Sequence, residues 1–150
     1  MSKKISELSN KTNLSLKDRL TILEELYWAD WNELSLEDID IIFEHLSSDD
    51  LGIQEMSKTL SLYNNISGAY IEKFAHIIAN YYINDRIKFF KALNLNRDEA
   101  IYLVYIFMSK NIFEDEEKEY KEIESTNQLS DEELEAAQNF FTMYKTICNT

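Results

Sequence analysis

Apolar residues recur along most of this chain at spacings of three and four, the period of an amphipathic helix rather than the alternation of a strand. The clearest run is Leu16, Leu20, Leu23 and Tyr27, which predicts a helix over about Leu16–Trp28. A second, carried by Leu36, Ile39, Ile42, Phe43 and Leu46, predicts one over about Leu36–Leu46. Further helices are expected over about Leu51–Tyr63, Ala69–Tyr82, Asp85–Leu93, Arg97–Lys110 and Asp131–Ile147, roughly seven in all. The stretch "IYLVYIFM" (Ile101–Met108) is apolar nearly all round, so its helix is expected to be central. The segment "FEDEEKEYKEIEST" either extends that helix or forms its own, and with little apolar surface it is expected to be exposed over about residues 114–129.

Start signals support these positions. Ser15, Ser35, Asn96 and Ser130 each precede a predicted helix and are followed three residues later by Asp18, Asp38, Glu99 and Glu133. A short polar side chain there accepts from free backbone N–H groups, and the acid complements the helix dipole. Asp50 is positioned to cap the third helix. With no proline and two glycines, Gly52 and Gly68, the chain lacks the residues that tight β-turns lean on. The expected fold class is therefore all-α, in one domain over 1–150, as stacked antiparallel hairpins or a compact irregular bundle.

Two internal relations follow from the pattern. "LSLKDRLTILEEL" (Leu14–Leu26) and "LSLEDIDIIFEHL" (Leu34–Leu46) lie twenty residues apart and share seven of thirteen positions, so two successive cap-and-helix units are built alike. "DIDIIFEHLSSDDLGIQEMSKTLSLY" (Asp38–Tyr63) resembles one HEAT-type repeat, and "YIEKFAHIIANYYINDRIKFFKAL" (Tyr70–Leu93) resembles a looser copy. The turn proline common in such repeats is absent and the period is unsteady. The resemblance implies stacked helical hairpins with one face open to a partner.

Charge changes the picture most. The net formal charge is −13, and it is unevenly spread. Residues 22–55 hold eleven acids and no Lys or Arg, and residues 114–135 hold eleven acids against two bases. Residues 56–113 between them are mildly basic, with seven bases and four acids. A nucleic-acid binder needs a cationic face, so direct nucleic-acid binding is not expected. Eleven acids with no neighbouring base repel one another, at a cost in stability that points to a use for the charge. In "FEDEEKEYKEIEST", Glu114–Lys118 and Glu117–Lys121 are favourable i,i+4 pairs.

Candidate chemistry is sparse. The single cysteine, Cys148, is the third residue from the end and excludes an internal disulfide. Neither histidine offers a metal motif: Glu72 and His76 are four apart, but HExxH is absent and the Glu-x-x-His spacing of di-iron helices is not formed. "SSDDLGIQE" lacks the spacing of a calcium loop, and no glycine-rich phosphate loop exists. No catalytic residue, metal or cofactor is therefore expected. No stretch approaches a membrane span and "MSKKISELSNK" has no apolar core, so a cytoplasmic location is expected.

The aromatics Trp28 and Trp31 stand within the base-free block. Neighbouring aromatics such as Tyr27–Trp28 and Tyr81–Tyr82 point about 100° apart on a helix, so some must face outward or fill a corner between helices. The expected site is a face on which Asp30, Glu33, Glu37, Asp40 and Glu44 meet Lys and Arg of a basic partner protein, with Trp28 and Trp31 as anchors. By analogy of size, charge and fold, the expected class is an immunity protein that blocks a toxin, such as a nuclease with a cationic active site. The alternatives are a phage-type inhibitor with carboxylates at phosphate-like spacing, and a scaffold that binds peptides in an aromatic groove.

Overall fold

The computed structural model describes residues 15–47, 51–62 and 70–148, apart from the side chain of Asn32. The expected cap at Asp50 and the break at residues 64–68 lie outside the described residues. The protein is all-α, with eight α-helices among the described residues. They are α1 (Leu16–Trp28), α2 (Leu36–Leu46), α3 (Ile53–Ser61), α4 (Tyr70–Asn84), α5 (Arg86–Asn94), α6 (Ala100–Lys110), α7 (Glu116–Ser125) and α8 (Asp131–Cys148). Two compact units divide the chain, one ending at Ile77 and the other beginning at Ile78, so α4 carries residues of both.

In the first unit the two similar segments adopt the same local structure. Ser15 Oγ accepts from the Asp18 N–H at 3.1 Å, and the Asp18 carboxylate accepts from the Ser15 N–H at 3.4 Å. Ser35 Oγ likewise accepts from the Asp38 N–H at 3.1 Å. The buried residues correspond too: Ile22, Leu23 and Leu26 in α1, and Ile42, Phe43 and Leu46, with Ile39, in α2. The buried face of α1 is thus turned from the one the spacing suggested, leaving Leu16 exposed and Leu20 and Tyr27 half-buried. Helix α3 packs against α1. It starts later than expected, at Ile53, because the Glu55 carboxylate accepts from the Gly52 N–H at 3.0 Å and closes its first turn. The other Glu55 oxygen takes a 3.1 Å bond from Arg19 of α1, with Glu55 buried and Arg19 half-buried.

In the second unit α8 packs against α5, α6 and α7. Its start is a reciprocal cap: Glu133 N–H to Ser130 Oγ at 3.2 Å, and Ser130 N–H to the Glu133 carboxylate at 2.9 Å. The core is a cluster of rings. Phe140 is fully buried, with centroids 5.0 Å from Phe107, 5.7 Å from Phe90 and 6.0 Å from Phe89. Tyr82 stands edge-on to Phe89, Phe90, Phe107 and Phe113, the arrangement favoured by ring quadrupoles.

Two expectations, the Asn96 cap and a sixth helix covered all round, are corrected here. Asn96 does not cap through its side chain; a 3₁₀ turn at Arg97–Glu99 leads into α6 instead. Helix α6 is not sealed all round: Leu103, Val104, Ile106 and Phe107 are buried while Ile101, Tyr102 and Tyr105 are exposed. Tyr81 and Tyr82 are both buried, with Tyr82 filling the corner among Phe89, Phe90, Phe107 and Phe113. The acidic segment forms its own helix, α7, capped by Asp115, whose side chain accepts from the Lys118 N–H.

Candidate functional site

The base-free block unites the end of α1, a 3₁₀ turn at Trp31–Glu33 and α2. Helical geometry decides which side chains it shows. On α1, Trp28 lies about 190° round from the middle of the buried face set by Ile22, Leu23 and Leu26. It therefore points to solvent, 68% exposed, its ring edge-on to Tyr27 at 4.9 Å and its indole N–H donating to Glu24 at 3.3 Å.

Trp31 behaves differently and corrects the expectation that it anchors a partner. The helix ends at Ala29 in extended backbone, and the 3₁₀ turn folds the chain back on itself. Trp31 is 2% exposed, its indole N–H donating to the Leu26 carbonyl at 3.2 Å and its ring tilted 6.0 Å from Phe43 and 5.9 Å from Tyr70. A ring with its single donor used internally and almost no exposed surface has nothing to offer a partner.

The carboxylates are where the spacing places them. Asp30, Glu33, Glu37, Asp40 and Glu44 are all exposed. Glu37, Asp40 and Glu44, at i, i+3 and i+7, fall within about 60° of one another on the side of α2 opposite Ile39, Ile42, Phe43 and Leu46. Leu36, 68% exposed, stands beside the start of this stripe. The block is less bare of bases than its sequence suggests. Asp40 holds Lys73 at 2.6 Å, Glu24 holds Lys58 at 3.5 Å, and Glu55 holds Arg19. Among the described residues, no ion pair engages Glu33, Glu37 or Glu44.

Sequence reading missed a second polar centre, in the other unit. The Tyr82 hydroxyl donates to Glu119 at 2.5 Å, and Arg86 reaches the same carboxylate at 2.8 Å and Glu122 at 3.3 Å. Burial, and then the bond to Glu119, push the Tyr82 phenol far above its usual value, so it stays protonated. Burial works against the Arg86 charge, but Glu119 more than restores it. No local motif marks these groups, which meet across 33 and 37 residues.

Two further carboxylates are tuned. The hydrogen bond from Lys145 holds Glu117 below the ordinary range and raises Lys145 in return. Burial pushes Glu133 up, but the Ser130 N–H and the Lys91 ammonium, 3.0 Å away, bring it below its ordinary value. A carboxyl depressed in the folded state stabilises above its unfolded pKa of about 4.3 and loses that contribution as pH falls through the folded value. Glu133→Gln should therefore lower the melting temperature at pH 6, and the gap from the parent should close below about pH 4. Thermal melts followed by circular dichroism across that range measure it, and a gap that persists undiminished at pH 3 would refute the assignment.

Among the described residues, no group of three or more His, Cys, Asp or Glu side chains is placed to hold a metal ion. None of the described helices is long and apolar enough to cross a membrane. Fold and surface thus define an all-α protein with an acidic face, one exposed tryptophan and one buried one. Comparison with protein-family models, with curated proteins and with solved structures yields no match.

Proposed function

We propose that this chain is a non-catalytic acidic helical protein that binds a basic partner protein and occludes its cationic surface, as an immunity protein does when it neutralises a toxin. The observation that carries this reading is the outward stripe of Glu37, Asp40 and Glu44 on α2, joined by exposed Asp30 and Glu33. Trp28 supplies the exposed ring area that binding patches favour. Among the described residues of this unit, Arg19, Lys58 and Lys73 are engaged by Glu55, Glu24 and Asp40, while Glu33, Glu37 and Glu44 stay outside these pairs and supply negative charge to a partner. Such a field steers a basic protein into contact and raises its association rate by about 10–1,000-fold at low salt.

Recovery of partners from source cells at low salt, with elution on raising the salt, identifies the ligand. The decisive comparison is then between the parent and the triple variant Glu33→Lys, Glu37→Lys, Glu44→Lys, which spares the Asp40–Lys73 pair. The variant should retain the parent's circular dichroism, associate at least about tenfold more slowly at low salt, and lose most of the salt dependence. Unchanged association kinetics would exclude this face as the interface.

A further inference from the structure

Helix α7 is held differently from its neighbours. Of its ten residues only Ile123 is buried, whereas α6 and α8 each bury five. Tyr120 adds an edge contact to Phe141 at 5.9 Å. The rest of the attachment is polar: Glu119 to Tyr82 and Arg86, Glu122 to Arg86, and Glu117 to Lys145 at 2.6 Å. A helix this short is not stable alone in water, so it persists only while docked. Its two ends are set up for movement as a unit. On the N-terminal side Phe113 is seated in the ring cluster, 4.8 Å from Tyr144, and fixes the chain just before Glu114. On the C-terminal side Asn127 is left-handed, with φ 57°, a sharp turn between α7 and the independently capped α8.

We propose that the segment from Glu114 to Asn127, which carries α7, is an electrostatically latched flap on the second unit, which opens as one piece when its ion pairs are screened and uncovers the aromatic surface at Phe141 and Tyr82. Arg86 is the latch: one guanidinium ties two turns of α7, through Glu119 and Glu122, to the start of α5. Opening removes one buried isoleucine from the core and leaves the Phe140 cluster intact, so the flap is the part of this unit with least to lose. The inference concerns the second unit alone and stands whether or not the acidic stripe of the first binds a partner.

Hydrogen exchange of the full-length protein, read by mass spectrometry, tests it. Raising sodium chloride from about 0.1 to about 1 M shortens the screening length from about 10 to about 3 Å. Amides of Glu116–Ser125 should then exchange about tenfold faster, while those of α6 and α8 keep their rates. Arg86→Met should show the fast exchange at low salt, and Arg86→Lys should recover part of the protection. Either of two results overturns the proposal: α7 as protected as α8 at both salt levels, or all three helices accelerating together.

Discussion

Trp31→Ala lowers the unfolding free energy by about 3–5 kcal/mol, whereas Trp28→Ala, three residues away, changes it by no more than about 0.5 kcal/mol. The difference follows from where the two rings sit. Trp31 is 2% exposed, wedged against Phe43 and Tyr70, and its removal leaves a void the size of an indole that backbone tied to Leu26 cannot close. It also frees the Leu26 carbonyl of one of its donors. Trp28 is 68% exposed, and loses only an edge contact to Tyr27 and a solvent-screened bond to Glu24. Urea denaturation followed by circular dichroism, which does not depend on the tryptophans as reporters, measures both. Equal losses for the two variants would contradict the burial assigned to them. Binding reverses the ranking: Trp28→Ala should weaken capture of a basic partner while the fold stays intact.

The second large effect lies in the ring cluster of the other unit. Phe140→Ala costs about 3–5 kcal/mol, toward the upper end because several aromatic edges are lost together. Phe140 lies within 6.3 Å, centroid to centroid, of Phe89, Phe90, Phe107, Phe113 and Phe141, which come from α5, α6, the α6–α7 connection and α8. No single neighbour can move to fill the space without breaking its own contacts. Phe140→Leu, which keeps apolar bulk but gives up the ring edges, should cost markedly less. A loss below about 1 kcal/mol for the alanine variant, in the same denaturation experiment, would show that the cluster collapses around the void and is less rigid than its geometry implies.

The two tryptophans also show where sequence reading stops. Periodicity placed Trp28 at the end of α1, but the face suggested by Leu16, Leu20, Leu23 and Tyr27 lies only about 110° from it; the observed burial of Ile22, Leu23 and Leu26 sets Trp28 opposite the core. Trp31 follows the helix, in a turn with no period, and its direction depends on Phe43 and Tyr70, twelve and 39 residues on. The acidic block presented the same limit. Local spacing sets Glu37, Asp40 and Glu44 within about 60° of one another on α2, but only the fold assigns Lys73 to Asp40 and Lys58 to Glu24, across 33 and 34 residues.

What the sequence determined by itself was local: an all-α chain, α1 and α2 at their observed bounds, the reciprocal caps at Ser15 and Ser130, and the outward stripe of acids. These depend on contacts between residues three or four apart, which 3.6 residues per turn makes neighbours. Tertiary structure alone decided that Trp31 is core, that buried Glu55 pairs with half-buried Arg19, and that α7 docks through Ile123 and Arg86. Those outcomes depend on which helix faces which, and interactions across 30 residues or more leave no periodic trace in the chain.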